Sequence, residues 1–283
     1  MTSSWIEIDA PRLAAVRRTP LRATFIERPH RFAARCRLRG GREAEAHVPN
    51  PGRLTGVLSP GCQLLIDGPY PETRALAYTM VAARVDGSGF TTRSRGPLQP
   101  PHAGWKTGPA VWVGTNTLYA NRLFPALVAH GLFPEFDRTS STACATRLDD
   151  AARTGRRTAA FMIRAEVVHG HSRFDFQVGG MMVEVKSVTL ASGGAGRFPD
   201  AVSARAARHC DDLAELSAAE HPAAIVFVAQ RGDVESVAPE DEIDPAFGVA
   251  IRAAATAGVL VLACAIDITP RGAARARRVP VLL

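Results

Sequence analysis

The sequence predicts a mixed α/β chain in which a small N-terminal β-barrel precedes an α/β layer, and three observations carry that reading. Before residue 87, apolar residues recur at every second position in short runs bounded by glycine and proline, the mark of half-buried strands. After residue 110, short apolar runs alternate with segments of helical period, and a strand, helix, strand succession demands parallel crossovers. Between the two, residues 87–109 hold Pro97, Pro100, Pro101 and Pro109 with several glycines, a composition that packed elements tolerate poorly. The expected division is therefore residues 1–86 as barrel, 87–110 as linker or insertion, and 111–283 as the α/β domain.

Within the barrel, Phe32, Ala34, Cys36 and Leu38 share one face of a strand, while Arg31, Ala33, Arg35, Arg37 and Arg39 share the other. Gly40 and Gly41 offer a turn, and Ala44, Ala46 and Val48 resume the alternation, so residues 31–48 read as a hairpin. Phe25 and Phe32 are candidates for stacking bases, but Phe32 falls on the apolar face and reads rather as core. Runs at 63–67 and 76–85 supply further strands. The arginine face can neutralise a phosphate backbone; solvated strand arginines explain it equally well.

In the second half, residues 117–130 read as a helix, with Pro125 confined to its first turn or kinking it. Residues 137–158 are polar and read as a loop or a disordered excursion with room for a short helix. Strands follow at 161–168, 172–178 and 181–190, then a helix over 200–219 with Val202, Ala206, Leu213 and Leu216 on one side. A strand at 223–229, a helix at 245–257 and a last strand at 259–267 complete the layer. The run 271–278, with Arg275, Arg277 and Arg278, reads as a flexible tail.

Composition narrows the function. The 283 residues carry 34 Lys and Arg against 27 Asp and Glu, a net charge of +7 that favours polyanionic partners such as nucleic acid. No apolar stretch approaches the roughly 20 residues of a membrane span, and the first residues lack a secretory signal, so a cytoplasmic protein is expected. The five cysteines, Cys36, Cys62, Cys144, Cys210 and Cys264, have no paired spacing and read as buried hydrophobes. His169 and His171, with no third histidine near in sequence, make a weak metal signal. Neither a phosphate-binding P-loop nor a Gly-x-Ser-x-Gly elbow occurs.

The chemistry concentrates in one hairpin. If Gly179 and Gly180 form a two-residue turn, Val178 opposes Met181 and Asp175 opposes Glu184, with Cβ atoms about 4.5–5.5 Å apart. Like charges at that distance need compensation: a retained proton, Lys186 two residues along, or a divalent cation, for which hard oxygen ligands suit Mg²⁺ or Mn²⁺ better than zinc. A solvated face balanced by Arg173 and Lys186 is the plainer alternative. Glu166 on the preceding strand reads equally as a further acid or as an ordinary surface charge. Beyond the hairpin, a glycine-containing loop spans 192–197, Arg205 and His209 stand four apart on one helix face, and Gln230 with Arg231 ends a strand where open α/β sheets place ligands.

Val183-Glu184-Val185-Lys186-Ser187-Val188-Thr189-Leu190, then Phe198-Pro199-Asp200-Ala201-Val202, then Gln230-Arg231-Gly232-Asp233, together with His47-Val48-Pro49-Asn50, resemble the sugar fermentation stimulation protein A family over about residues 28–267. The resemblance implies an N-terminal OB-fold domain and a restriction-endonuclease-like domain of the PD-(D/E)XK type, with DNA binding and DNA or RNA nuclease activity. On it, Asp175, Glu184 and Lys186 fall on the catalytic motif, with Arg205, His209 and Gln230 as helpers, and Asp175, Glu184 and the Val185 carbonyl hold Mg²⁺ or Mn²⁺. Arg31, Arg35, Arg37 and Arg39, with Asn50 and Arg53 in the following loop, would contact nucleic acid. The chain departs from the family at Pro51 and Arg53, where threonine and serine are usual, at Ser187, usually asparagine, and at Pro125 and Ala126, where glutamates tend to stand. That last change removes a second-metal ligand and supports the rival reading of a non-catalytic, nucleic-acid-binding regulator of sugar metabolism genes. A sugar-sensing role has no pocket signal behind it. Homodimerisation is compatible with the sequence.

Overall fold

The computed structural model describes residues 4–15, 19–54, 56–71, 73–87, 108–136 and 162–283. Most of the expected linker, Cys144 and the polar segment 137–158 lie outside the described residues. After a short β1 (Ile6–Glu7), five strands make the barrel: β2 (Leu21–His30), β3 (Ala33–Leu38), β4 (Glu43–His47), β5 (Gln63–Asp67) and β6 (Tyr78–Gly87). β2, β3 and β4 run antiparallel in sequence order, β5 pairs antiparallel with β2 and β6, and β6 returns parallel to β4 through Ala46↔Tyr78 and His47↔Thr79. That last pairing closes the ring. The strand order is that of an OB barrel.

Small inward residues permit so tight a closure. Ala34, Cys36 and Ala46 face Leu64, Ile66 and Met80 in one cluster with no exposed surface. The 31–48 hairpin has the expected register, from Ala33↔His47 to Arg37↔Glu43. Phe32 departs from expectation: it lies in the turn between β2 and β3 and is 38% exposed. Alternation holds only while the chain is extended, and the strand begins one residue later.

The α/β half comprises β7 (Gly108–Gly114), α1 (Leu118–Ala129), β8 (Ile163–His169), β9 (Ser172–Val178), β10 (Met181–Val188), β11 (Leu190–Ser192), β12 (Ala195–Phe198), α2 (Ala204–Ala218), β13 (Ala223–Ala229), β14 (Ser236–Pro239), α3 (Pro245–Thr256), β15 (Leu260–Thr269) and β16 (Gly272–Arg278). β7 pairs with β6 on one side and meets β15 at Ile268↔Trp112 on the other, so one sheet runs from the barrel through β15, β13, β10, β9 and β8. β10, β13 and β15 are parallel, joined by crossovers through α2 and α3. Every residue of β13 is buried, as a strand covered on both faces must be. α1 packs Leu123, Phe124 and Leu127 on one face of this sheet, and α2 and α3 pack Leu213, Phe247 and Ile251 on the other.

Three expectations fail here, and a fourth is narrowed to one of its two alternatives. The 271–278 run is no tail: it is β16, antiparallel to β15 and flanked by β1, with Ala276 fully buried and Arg275 on Asp267. The loop at 192–197 is the hairpin of β11 and β12, which joins β14 in a small second sheet. Val202 lies before α2 and is 76% exposed, because Ser203 caps the helix by accepting from the Ala206 N–H. Pro125 sits inside α1 rather than in its first turn, and the helix runs past it to His130, whose N–H reaches the Ala126 carbonyl.

Phe124 packs with no exposed surface against Phe176 at 4.8 Å and Phe136 at 5.8 Å between ring centroids. Phe124→Ala is expected to destabilise the protein by about 3–5 kcal/mol in urea unfolding, and a cost below about 1 kcal/mol would contradict this account of the α1 face.

Candidate functional site

The β9–β10 hairpin turns at Gly179, whose φ of 58° is the left-handed conformation that glycine adopts without strain. The pairing follows the expected register from Met181↔Val178 to Val183↔Phe176, and there it stops. Asp175 and Glu184 are therefore not a ladder pair. Beyond Val183 the strands part, and the Val185 N–H is taken by Asp175 Oδ2 at 2.8 Å. The side chain replaces a backbone acceptor at the point of separation, which satisfies a donor that would otherwise be orphaned.

Glu184 shares its face of β10 with Lys186, and both are almost fully buried, at 5% and 8% exposure. Lys186 Nζ donates to Glu184 Oε1 at 2.8 Å. His209 Nδ1 lies 2.6 Å from the same oxygen. An ionised carboxylate only accepts, so Nδ1 carries the ring proton. Nε2 is then the acceptor for Arg205 Nε, 3.5 Å away, and Phe174 meets the ring edge-on at 6.1 Å. Arg205 is itself exposed. The expected helix-face pair thus becomes a chain from solvent to a buried carboxylate. Burial works to raise the Glu184 carboxyl, but the hydrogen bond from His209 and the Lys186 ammonium outweigh it and hold the group below the usual glutamate range.

Asp175 is half-buried and takes the opposite course. Burial first, and the Glu184 charge second, raise its carboxyl, while the Val185 N–H, Lys186 and Asn121 oppose the shift. Asn121, on α1, donates from Nδ2 to Asp175 Oδ1 at 2.7 Å. Sequence reasoning missed Asn121, which stands 54 residues away with no spacing to mark it. Two neighbouring carboxyls displaced in opposite directions are a recurring property of catalytic pairs.

One carboxylate oxygen remains open: Glu184 Oε2 is buried and has no hydrogen-bond partner. The sequence sets beside it Asp175 and the backbone carbonyl of Val185, an oxygen-only donor set of the kind that suits Mg²⁺ or Mn²⁺; both Asp175 oxygens also accept, from Asn121 and the Val185 N–H. Among the described residues no group of three or more His, Cys, Asp or Glu is disposed as a metal site, so any ion here would rest on two carboxylates and a carbonyl. Gln230 is fully buried, and its Nε2 ties Ser187 Oγ at 2.7 Å to the Asn116 carbonyl at 2.9 Å. It braces the sheet end beside the site and touches neither carboxylate among these bonds.

The barrel candidates divide. Arg35 pairs with Glu27 at 2.6 Å and lies 3.8 Å from Glu45, and Arg37 pairs with Glu43 at 3.0 Å, so neighbouring strands already neutralise the centre of the expected basic face. Asn50 is 4% exposed and spends its Oδ1 on the Gly52 N–H at 2.8 Å, a turn-forming role. Arg31, Arg39 and Arg53 are exposed. The loop that holds Asn50 and Arg53 reaches the second domain: the Pro49 carbonyl accepts from Thr117 at 3.3 Å at the head of α1, and Asp200 lies against Gly52. Burial raises the Asp200 carboxyl, against the Leu54 N–H and the charges of Arg28 and Arg53.

Of the remaining candidates, Glu166 pairs on the surface with Arg173 at 3.0 Å, so Arg173 does not balance the acidic pair. His169 gains a neighbour the sequence did not suggest, His221 at 6.0 Å between ring centroids, beside a cavity of about 350 Å³ that His171 also lines. Among the described residues Cys36, Cys210 and Cys264 are buried and Cys62 is half-buried. Among the described residues no helix is long and apolar enough to cross a membrane.

Comparison with known proteins places this geometry in context. The family described as the sugar fermentation stimulation protein RE domain matches residues 120–272, and the SfsA N-terminal OB domain matches residues 26–90. A sugar fermentation stimulation protein homolog of Symbiobacterium thermophilum is 34% identical over 281 residues, covering 93% of this chain and 95% of its own. The Geobacter sulfurreducens homolog is 34% identical over 266 residues, covering 92% and 94%. The solved structure of Pyrococcus furiosus SfsA in complex with Ca²⁺ has a TM-score of 0.71 at 21% identity, covering 97% of this chain and all of its own, a likeness of fold.

Because the folded Glu184 carboxyl titrates below the ordinary value of 4.5, its ionisation adds stability that is present above that value and lost as pH falls through the lower folded one. In metal-free urea unfolding, wild type is expected to exceed Glu184→Gln in stability at pH 7, with the gap closing below pH 4.5. A gap that does not change with pH would contradict the assigned network.

Proposed function

The chain belongs to the sugar fermentation stimulation protein family, and from that premise and the site geometry we propose that it binds nucleic acid and hydrolyses phosphodiester bonds with Mg²⁺ or Mn²⁺. The observation that carries the reading is the Glu184 carboxylate, with one oxygen held by Lys186 and His209 and the other buried without a partner. A buried unsatisfied acceptor costs roughly 1–3 kcal/mol, and a hard cation relieves it. The Ca²⁺ named for the Pyrococcus furiosus neighbour is an ion of the same oxygen-seeking class and supports the proposal.

Asp175, Glu184 and the Val185 carbonyl would hold the ion. When bound, it supplies Lewis acidity to a phosphate and acidifies water. The protein's own groups do the rest. Asn121 and the Val185 N–H fix the Asp175 carboxylate in one rotamer. Glu184 anchors Lys186 Nζ, whose remaining protons are then available to charge developing on a phosphate oxygen. His209 braces Glu184, and Arg205, braced in turn against His209, exposes a guanidinium that suits backbone phosphate. On the barrel, Arg31, Arg39 and Arg53 are the arginines best placed for phosphates of DNA or RNA, since Arg35 and Arg37 are paired.

One observation favours a second reading. α1 presents no acidic residue, so no further carboxylate comes from the element that holds Asn121. Under that reading the protein is a nucleic-acid-binding regulator without turnover.

A cleavage assay on single- and double-stranded DNA and RNA separates the two. Cleavage is expected with Mg²⁺ or Mn²⁺, abolished by EDTA, and lowered about 10²–10⁴-fold by Glu184→Ala or Lys186→Ala. Binding without cleavage under both metals would leave the regulator.

A further inference from the structure

Phe32 sits in the turn between β2 and β3, where a large apolar ring gains little. It is 38% exposed, while Ala33, Ala34 and Cys36 directly after it are fully buried. Its ring stacks on that of His47 at the end of β4, with centroids 6.5 Å apart and planes inclined by 26°. The Arg31 guanidinium stands 4.7 Å from the Phe32 ring centre. The guanidinium thus lies over the Phe32 ring, and the pair borders solvent, with Phe32 exposed and His47 half-buried.

The platform is rigidly mounted. Arg28, on β2, donates to the carbonyls of Asn50 at 3.1 Å, Gly52 at 2.9 Å, Arg53 at 2.7 Å and Arg31. One half-buried guanidinium thus ties the Phe32 turn to the loop after β4. That loop continues to the catalytic half through Pro49 and Thr117, at the head of the helix whose Asn121 holds Asp175. Gly52 lies so near Asp200 that a Cβ there would collide with its carboxylate. The turn and the candidate catalytic pair are thus linked through one chain of contacts.

We propose that Phe32 and His47 form a stacking platform for an unpaired base of single-stranded nucleic acid, with Arg31 and Arg53 meeting the flanking phosphates. The inference rests on the nucleic-acid reading above and names the form of substrate. Every base has a π-face, so such a platform is indifferent to sequence. Bases inside a duplex are stacked on one another and do not present that face, so the platform selects single strands. In barrels of this topology the turn between the first two strands and the second and third strands are where oligonucleotides lie, and Phe32 and His47 occupy that turn and that third strand.

The test is fluorescence anisotropy in EDTA with a labelled oligo-dT and a blunt duplex of equal length. Wild type is expected to prefer the single strand. Phe32→Leu should weaken oligo-dT binding about tenfold and leave duplex binding unchanged, while Phe32→Trp should retain it. With abasic residues in place of thymidines, wild type and Phe32→Leu should bind alike, which a merely structural role of Phe32 would not produce. Equal oligo-dT affinity of wild type and Phe32→Leu, or no binding of oligo-dT by wild type, overturns the proposal. Phe32-dependent binding without metal-dependent cleavage upholds the platform and removes the nuclease. Cleavage with Phe32-independent binding removes the platform and leaves the nuclease.

Discussion

A carboxylate taken out of water has to be compensated where it lies, and the compensation of Glu184 sets much of the surrounding structure. Lys186 compensates it from the same face of the same strand, so β10 must remain extended through this stretch. His209 compensates it from α2, so that helix must dock on β10 at one rotation and one height. β10 is in turn held on both sides, by β9 through Met181↔Val178 and by β13 through Glu184↔Ile225. The central sheet, the crossover helix and the site share one constraint. Removing either partner would leave a buried charge with half its support.

Asp175 answers a different need. Where β9 leaves β10, a backbone N–H loses its ladder acceptor, and the Asp175 side chain takes that place. The same carboxyl, crowded by burial and by the Glu184 charge, is driven up in pKa as Glu184 is driven down. The strand separation therefore opens room beside the pair and gives two adjacent carboxyls unlike characters. A cation that sat on both would relieve the Asp175 repulsion and the orphaned Glu184 oxygen together.

Much of this was legible in the chain. Period-two alternation across Gly179 and Gly180 set the hairpin register correctly up to Val183↔Phe176. The uninterrupted apolar run of β13 and the helix expected at 245–257 lie at nearly the true bounds of those elements. The i, i+2 relation of Glu184 to Lys186 and the i, i+4 relation of Arg205 to His209 survive as contacts because both spacings are local geometry. What failed was non-local. Alternation says which face a residue takes but not where the strand ends, so by itself it places Phe32 in the core and Asp175 in a ladder pair. Nor does it say what lies across the gap: Glu27, Glu43 and Glu45 neutralise arginines that looked free, and β16 finds a partner strand for an arginine-rich run. Asn121 reaches Asp175 only because α1 packs on the sheet, a tertiary fact.

The account stands or falls on the open oxygen of Glu184. Anomalous diffraction from crystals of the full chain soaked in Mn²⁺ tests it most directly. The expected result is a Mn²⁺ peak bonded to Glu184 and Asp175 at about 2.0–2.3 Å, with Lys186 still on the other Glu184 oxygen. Full Mn²⁺ occupancy elsewhere on the protein with none between these two carboxylates would contradict it.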